Sequence, residues 1–240
     1  IIKESGWRIY MSEKQFYLLQ VNDALFPIGG YSHSQGLETY IQRGIVRDID
    51  TAREYILHKI KWNLAYTELL SARLAYEAAE GKDLQKLLHL EEILEASRIP
   101  MEQREAARKM GSRFAKTIEK LGLNINKNGI FRKYLDARKG KAVNHSCIYG
   151  VFCAEMEIAL NEAMTHYLYA QTSAIVTNCV KTIPLSQTSG QQLLSGCYVE
   201  FDDILTDVMN RREDDLCLSA PGFDLRGIQH EKLYSRLYMS

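Results

Sequence analysis

The chain has 240 residues, 46% of them hydrophobic, and its 30 Lys and Arg balance 30 Asp and Glu, leaving no net charge. That length and apolar content suffice for one large helical domain. The charge balance lacks the basic surplus of a nucleic-acid binder, and no apolar run approaches the ~18 residues of a membrane span. Neither nucleic acid nor membrane is therefore expected as a partner. The five cysteines, Cys147, Cys153, Cys179, Cys197 and Cys217, form no Cys-x-x-Cys pair. An odd count without that spacing argues against a disulfide framework or structural zinc and fits thiols kept reduced in a cytoplasm. The first ten residues carry no leader pattern, and Met11 is a candidate natural start. Tyr outnumbers Phe by 14 to 7, a composition suited to interfaces, where a ring with a polar tip is favoured.

Only four prolines, at 27, 100, 184 and 221, interrupt the chain. Long helices are predicted, and no alternating run points to strands. Gly29-Gly30 reads as a turn, with Ser34 as the cap of a helix that begins at Gln35. Thr51 and Glu54 have capping-box spacing. After them Ile56, Ile60, Leu64, Thr67, Leu70, Leu74 and Ala78 recur every three or four residues. That spacing defines one apolar helix face, opposite charged and amide residues, ending at Gly81. Further helices are predicted over 83–96 and from Pro100 to about Leu121, with Glu102 and Glu105 solvated or salt-bridged in the first turns. A loop at 122–128, a short helix at 131–137 and a basic loop at 138–144 follow.

From Cys147 to Val180 the chain is mostly apolar, with Ala159, Ala163, Tyr167, Ala170 and Ala174 along one side, small enough for a second helix to approach. Ile183-Pro184 breaks this stretch. A helix is predicted to start after Ser186 and run to about Asn210, and 213–224 reads as a loose connector. In the last segment, His230, Leu233, Tyr234, Leu237 and Tyr238 have helical spacing. Such a tail suits either a partner's groove or its own domain.

Catalytic motifs fail one by one. Gly111 to Thr117 imitates a phosphate loop but is one residue short and lies inside a predicted helix. His230-Glu231 begins a zincin motif, yet position 234 is Tyr. Ser32, His33 and Ser34 are adjacent, which does not supply nucleophile–base geometry. No two of the six histidines stand at ligand spacing; His166 reads as a hydrogen-bonded core or interface residue. The residues by themselves describe an all-α protein without a catalytic or cofactor motif.

Three ordered segments carry a resemblance. The first is Leu19-Gln20-Val21-Asn22-Asp23-Ala24-Leu25-Phe26-Pro27-Ile28-Gly29-Gly30-Tyr31-Ser32-His33-Ser34-Gln35-Gly36-Leu37-Glu38. The second is Val180-Lys181-Thr182-Ile183-Pro184-Leu185-Ser186-Gln187 followed by Gly190-Gln191. The third is His230-Glu231, then Leu233-Tyr234-Ser235-Arg236-Leu237-Tyr238-Met239-Ser240. Together they resemble the UreF family of urease accessory proteins, and Tyr167 to Ser173 is most similar to its Helicobacter-type branch. The segment 122–144 matches no family motif.

The resemblance implies an all-α, single-domain bundle of about ten helices that works as a cytoplasmic homodimer. It implies a nickel-insertion chaperone that is not an enzyme and carries no cofactor. Its partners would be UreD (UreH in Helicobacter), the GTPase UreG and the urease apoprotein. Residues 1–227 would form the helical domain and 228–240 a partner-docking tail. Gly30, Tyr31, Ser32 and His33, with Tyr234, Arg236, Leu237 and Tyr238, would meet UreD/UreH. In the tail, Arg236 can fork-bond a carboxylate while the aromatics anchor in pockets. Tyr167 and Tyr169 fall on the helix expected at the dimer seam. Lys181, Gln187 and Gln191 fit the second segment in a structural role. Thr165 departs from the family, standing where a relative carries a basic residue. Two rivals are a regulator of UreG that activates or gates the GTPase, and a metal-dependent hydrolase built on His33, His166 and Glu38.

Overall fold

The computed structural model describes residues 13–218 and 220–240; the candidate start at Met11 lies outside them. The helices are α1 (Glu13–Val21), α2 (Leu37–Gln42), α3 (Ile49–Lys59), α4 (Leu70–Glu80), α5 (Leu84–Ser97) and α6 (Met101–Lys120). They continue with α7 (Ile130–Ala137), α8 (His145–Glu155), α9 (Leu160–Thr182), α10 (Gln187–Cys197), α11 (Phe201–Asn210) and α12 (Pro221–His230). A π-helical stretch, Ile60–Leu69, joins α3 to α4, and a 3-10 turn, Tyr198–Glu200, joins α10 to α11. The described residues contain no strand, and the all-α bundle of about ten continuous rods is as expected.

Local chemistry explains most boundaries. Asp83 caps α5 through Lys86 N at 2.9 Å, and Ser186 caps α10 through Ser189 N at 3.0 Å. Pro100 precedes α6, and Gly81 closes α4. The capping box of α3 differs from the expected one. Asp48 is the cap: its carboxylate accepts from Thr51 N at 2.9 Å, and the Thr51 hydroxyl accepts from Asp48 N at 3.1 Å. Thr51 is thus the third helical residue. An Asp in extended backbone takes the cap ahead of it.

The single apolar face expected for α4 is also corrected. Every residue from Leu70 to Tyr76 is buried, including Ser71 and Arg73. Ser71 Oγ meets Ser146 Oγ at 2.6 Å, and the Arg73 guanidinium donates to the Arg211 carbonyl at 2.7 Å. With these two side chains hydrogen-bonded, α4 runs through the middle of the molecule. It packs against α8 so closely that a Cβ on Gly150 would collide with the Ala72 carbonyl oxygen. Around this seam Phe114 meets Phe152 edge-on at 5.6 Å, and Tyr149 stacks on Tyr167 at 4.5 Å. The apolar stretch expected from Cys147 to Val180 is two helices, turned at Glu157 with φ 53° and capped at Ala159. Only part of the small-residue stripe is covered: Ala163 and Tyr167 are buried, and Ala174 is exposed.

The C-terminal region departs furthest from the periodicity. Pro221 starts α12 inside the expected connector, suited to that place by its fixed φ and missing N–H. The helix crosses the 227/228 boundary and stops at His230. Leu233, Tyr234, Leu237 and Tyr238 therefore share no helix, and the amides of Leu237, Tyr238 and Met239 bond to Glu38 and Ser32 instead.

Candidate partner-docking site

The 3-10 turn Gly30–Ser32 follows Gly29, which has φ 81°, and Ser32 Oγ closes it by donating to the Gly29 carbonyl at 2.7 Å. Gly36, at φ 88°, caps α2. Its missing Cβ would lie 3.2 Å from Gly227 N, so α12 can rest against α2. Thr39 Oγ1 fastens the two by donating to the Arg226 carbonyl at 2.9 Å. Ser34 is not the cap of α2; its hydroxyl is taken by the tail.

The tail returns along this segment. Met239 N donates to the Ser32 carbonyl at 2.8 Å. The main-chain oxygen of Ser240 accepts from Ser34 N at 2.5 Å, from Gln35 N at 2.8 Å and from Ser34 Oγ at 2.8 Å. Ser240 Oγ lies 2.9 Å from His33 Nδ1, and the His33 carbonyl accepts from Asn178 Nδ2 at 2.9 Å. All three sequence motifs, or their immediate neighbours, thus meet in one knot.

Glu38 is its buried centre. One carboxylate oxygen accepts from Leu237 N at 2.7 Å; the other accepts from Tyr238 N at 3.0 Å and meets His230 Nε2 at 3.0 Å. On the other side of the ring, His230 Nδ1 lies 2.7 Å from Glu102, which also pairs with Arg236. Both ring nitrogens of His230 thus face carboxylate oxygens. Burial, followed by the positive charges of Lys109 and Arg113, pushes the His33 pKa below its ordinary value. Its imidazole stays neutral around pH 7.

The two sides of the tail differ. Tyr238 is 8% exposed and Ser240 is buried. Tyr234, Leu237 and Met239 face outward, as do Leu25 and Tyr31 on the opposing segment. Large apolar side chains held out by a hydrogen-bonded support have the makings of a docking surface.

Gly30, Tyr31, Ser32 and His33 are therefore brought together with Tyr234, Arg236, Leu237 and Tyr238. The tyrosines of α9 part company. Tyr167 lies in the core, stacked on Tyr149 and 3.3 Å from His145 Nδ1, and cannot face a second molecule. Tyr169 is exposed, 6.4 Å from the Tyr198 ring. Lys181 stands at the end of α9, and exposed Gln187 and Gln191 begin α10. Sequence reasoning missed the working partners Glu102, His230 and Asn178. Glu102 and His230 are 128 positions apart, and no local pattern links them.

The residues named for a hydrolase do not assemble. Glu38 is engaged by the tail, and among the described residues no three His, Cys, Asp or Glu side chains are grouped to hold a metal. The phosphate-loop imitation at Gly111 lies within α6.

Comparison with known proteins agrees with the motifs. The UreF family model matches residues 46–198. The urease accessory protein UreF of Lachnoclostridium phytofermentans is 35% identical over 229 residues, spanning 93% of this chain and 97% of that protein. The chain belongs to the UreF family of urease accessory proteins.

Proposed function

We propose that this chain is a scaffold for nickel insertion into urease. It works in the cytoplasm as a homodimer that holds UreD/UreH and the GTPase UreG against the urease apoprotein, and it does no chemistry itself. The observation that carries this reading is the knot. It fixes the tail's backbone from behind and leaves Tyr234, Leu237 and Tyr31 outside as anchors. Preorganised aromatic and aliphatic anchors bind with little ordering cost. Arg236 is half-held by Glu102 and can extend the same surface to a partner carboxylate. Exposed Tyr169, with Tyr198 and Val199 beside it in the fold, supplies the seam to a second copy.

Size-exclusion chromatography with light scattering tests the proposal. The full chain mixed with UreD/UreH is expected to form a complex of two copies of each. The chain carrying Tyr234→Ala and Leu237→Ala should stay a free dimer. Cutting the chain after Gly227 is a poorer test, because it also removes buried His230 and the end of α12. If the double variant binds as well as the parent, the docking surface lies on residues 26–38. If the parent fails to bind, the scaffold reading fails.

A further inference from the structure

A groove of about 870 Å³ lies between α5, α6 and the loop after α7. It begins where the knot ends: Arg113, on its wall, donates to the Ile28 carbonyl at 3.4 Å. Its lining is rich in cations, and they fall into two groups. Arg108 is matched by Glu95 and Glu105, and Arg138 by Glu91 at 3.4 Å and Glu95 at 3.8 Å. Lys109, Lys116 and Lys141 are exposed and have no ion-pair partner among the described residues. Arg113 has only its carbonyl. One lining carboxylate, Glu92, is left over on the acidic side.

Lys109, Arg113 and Lys116 are spaced four and three residues apart, which sets them on one face of α6. The row is ~10 Å long. In a chain with no net charge, this is a local concentration of like charge that an anionic ligand would relieve. The field reaches the neighbouring site, since Lys109 and Arg113 both disfavour protonated His33. The apolar side chains on the walls are only Ala96 and Ala142. A nucleotide would find no ring on which to stack its base. Carboxylates carried at helical spacing on a protein would find a cation for each.

We propose that this groove docks an acidic segment of a partner protein, with Lys109, Arg113, Lys116 and Lys141 receiving its carboxylates. The contact is separate from the apolar anchors of the tail and adds electrostatic steering beside them.

Fluorescence anisotropy with a labelled oligoglutamate peptide at low salt provides the test, with oligolysine as control. The full chain is expected to bind oligoglutamate and not oligolysine. Lys109→Glu with Lys116→Glu should weaken binding at least about tenfold, and added salt should abolish the difference. Both side chains are exposed, so thermal unfolding of the variant should match the parent. The Tyr234→Ala/Leu237→Ala chain should bind the peptide normally, which separates this proposal from the tail reading. Equal binding by parent and charge variant would overturn it, as would failure of the parent to bind. Tighter binding of inorganic tripolyphosphate than of oligoglutamate would reassign the groove to phosphate. Low-salt self-association lost in the charge variant would reassign it to a second copy.

Discussion

Where α8 crosses α4, main chain lies on main chain and the surroundings are apolar: Leu69, Leu70, Ala72, Ile148, Val151 and Phe152 are all buried. Where the tail meets residues 32–38, the buried groups are His33, Ser34, Glu38, His230 and Ser240, and the contact is a set of directed hydrogen bonds. Apolar burial is strong and non-directional. A hydrogen bond exchanged with water contributes a net ~0.5–1.5 kcal/mol but demands one geometry. The seam therefore supplies stability. The knot supplies a defined shape.

The strongest way to break this comparison is Gly150→Leu. The atom it strikes is backbone, which cannot give way, so a loss of at least ~3 kcal/mol is expected. Thermal unfolding by circular dichroism should show a collapsed transition, and a melt within a few degrees of the parent would remove the seam from its place as the stable centre.

Acid should act on the same core. Burial lowers the His145 pKa from 6.5 to about 4. The unfolded chain takes up that proton first, so its stabilisation is full above pH 6.5 and falls away as pH drops toward 4. The loss approaches ~3 kcal/mol at the acid end, and His33 acts in the same direction. Urea unfolding at several pH values checks this, and His145→Gln should flatten the slope.

Glu38→Ala should act on the knot alone. It leaves two tail amides and one side of His230 without an acceptor, a local penalty of ~1–3 kcal/mol. Amide exchange at Leu237 and Tyr238 should quicken markedly while the melting temperature hardly moves. A large drop in melting temperature would join knot and seam into one cooperative unit.

The smallest stability effect belongs to Tyr234→Ala with Leu237→Ala. Both side chains are exposed, and unfolding should change by less than ~0.5 kcal/mol. Partner association should nonetheless weaken sharply. A substantial loss of stability here would show that the outward face also holds the fold.

Features set by short-range chemistry were readable in the sequence. Gly81, Asp83, Pro100, Pro184 and Ser186 mark helix ends through backbone conformation or a cap a few residues away. Choosing Asp48 over Thr51 depended on which residue adopts extended backbone, and both are good caps. The surroundings of α4 were hidden for another reason. Ser71 and Arg73 are polar on any scale, and besides Glu68 and Glu77 nearby in the chain they need partners 75 and 138 positions away to be buried there. The tail misled through its spacing: helical periodicity at 230–238 was outweighed by a carboxylate 199 positions from the Leu237 amide. The family motifs marked both halves of the knot, but not that one half binds the other.

The π-helical stretch from Ile60 to Leu69 has its own consequence. Its hydrogen bonds reach five residues rather than four, so each turn accommodates more chain than an α turn. The rod therefore arrives at α4 with its angular phase reset. Upstream, α3 faces α9 and α10; downstream, α4 faces α5 and α8. Deleting one residue from this wide spiral would rotate everything beyond it relative to α3. Gly150 would then meet a side chain where it now meets a carbonyl. The stretch is a phase adjuster, and its residue count is as much a part of the design as its composition.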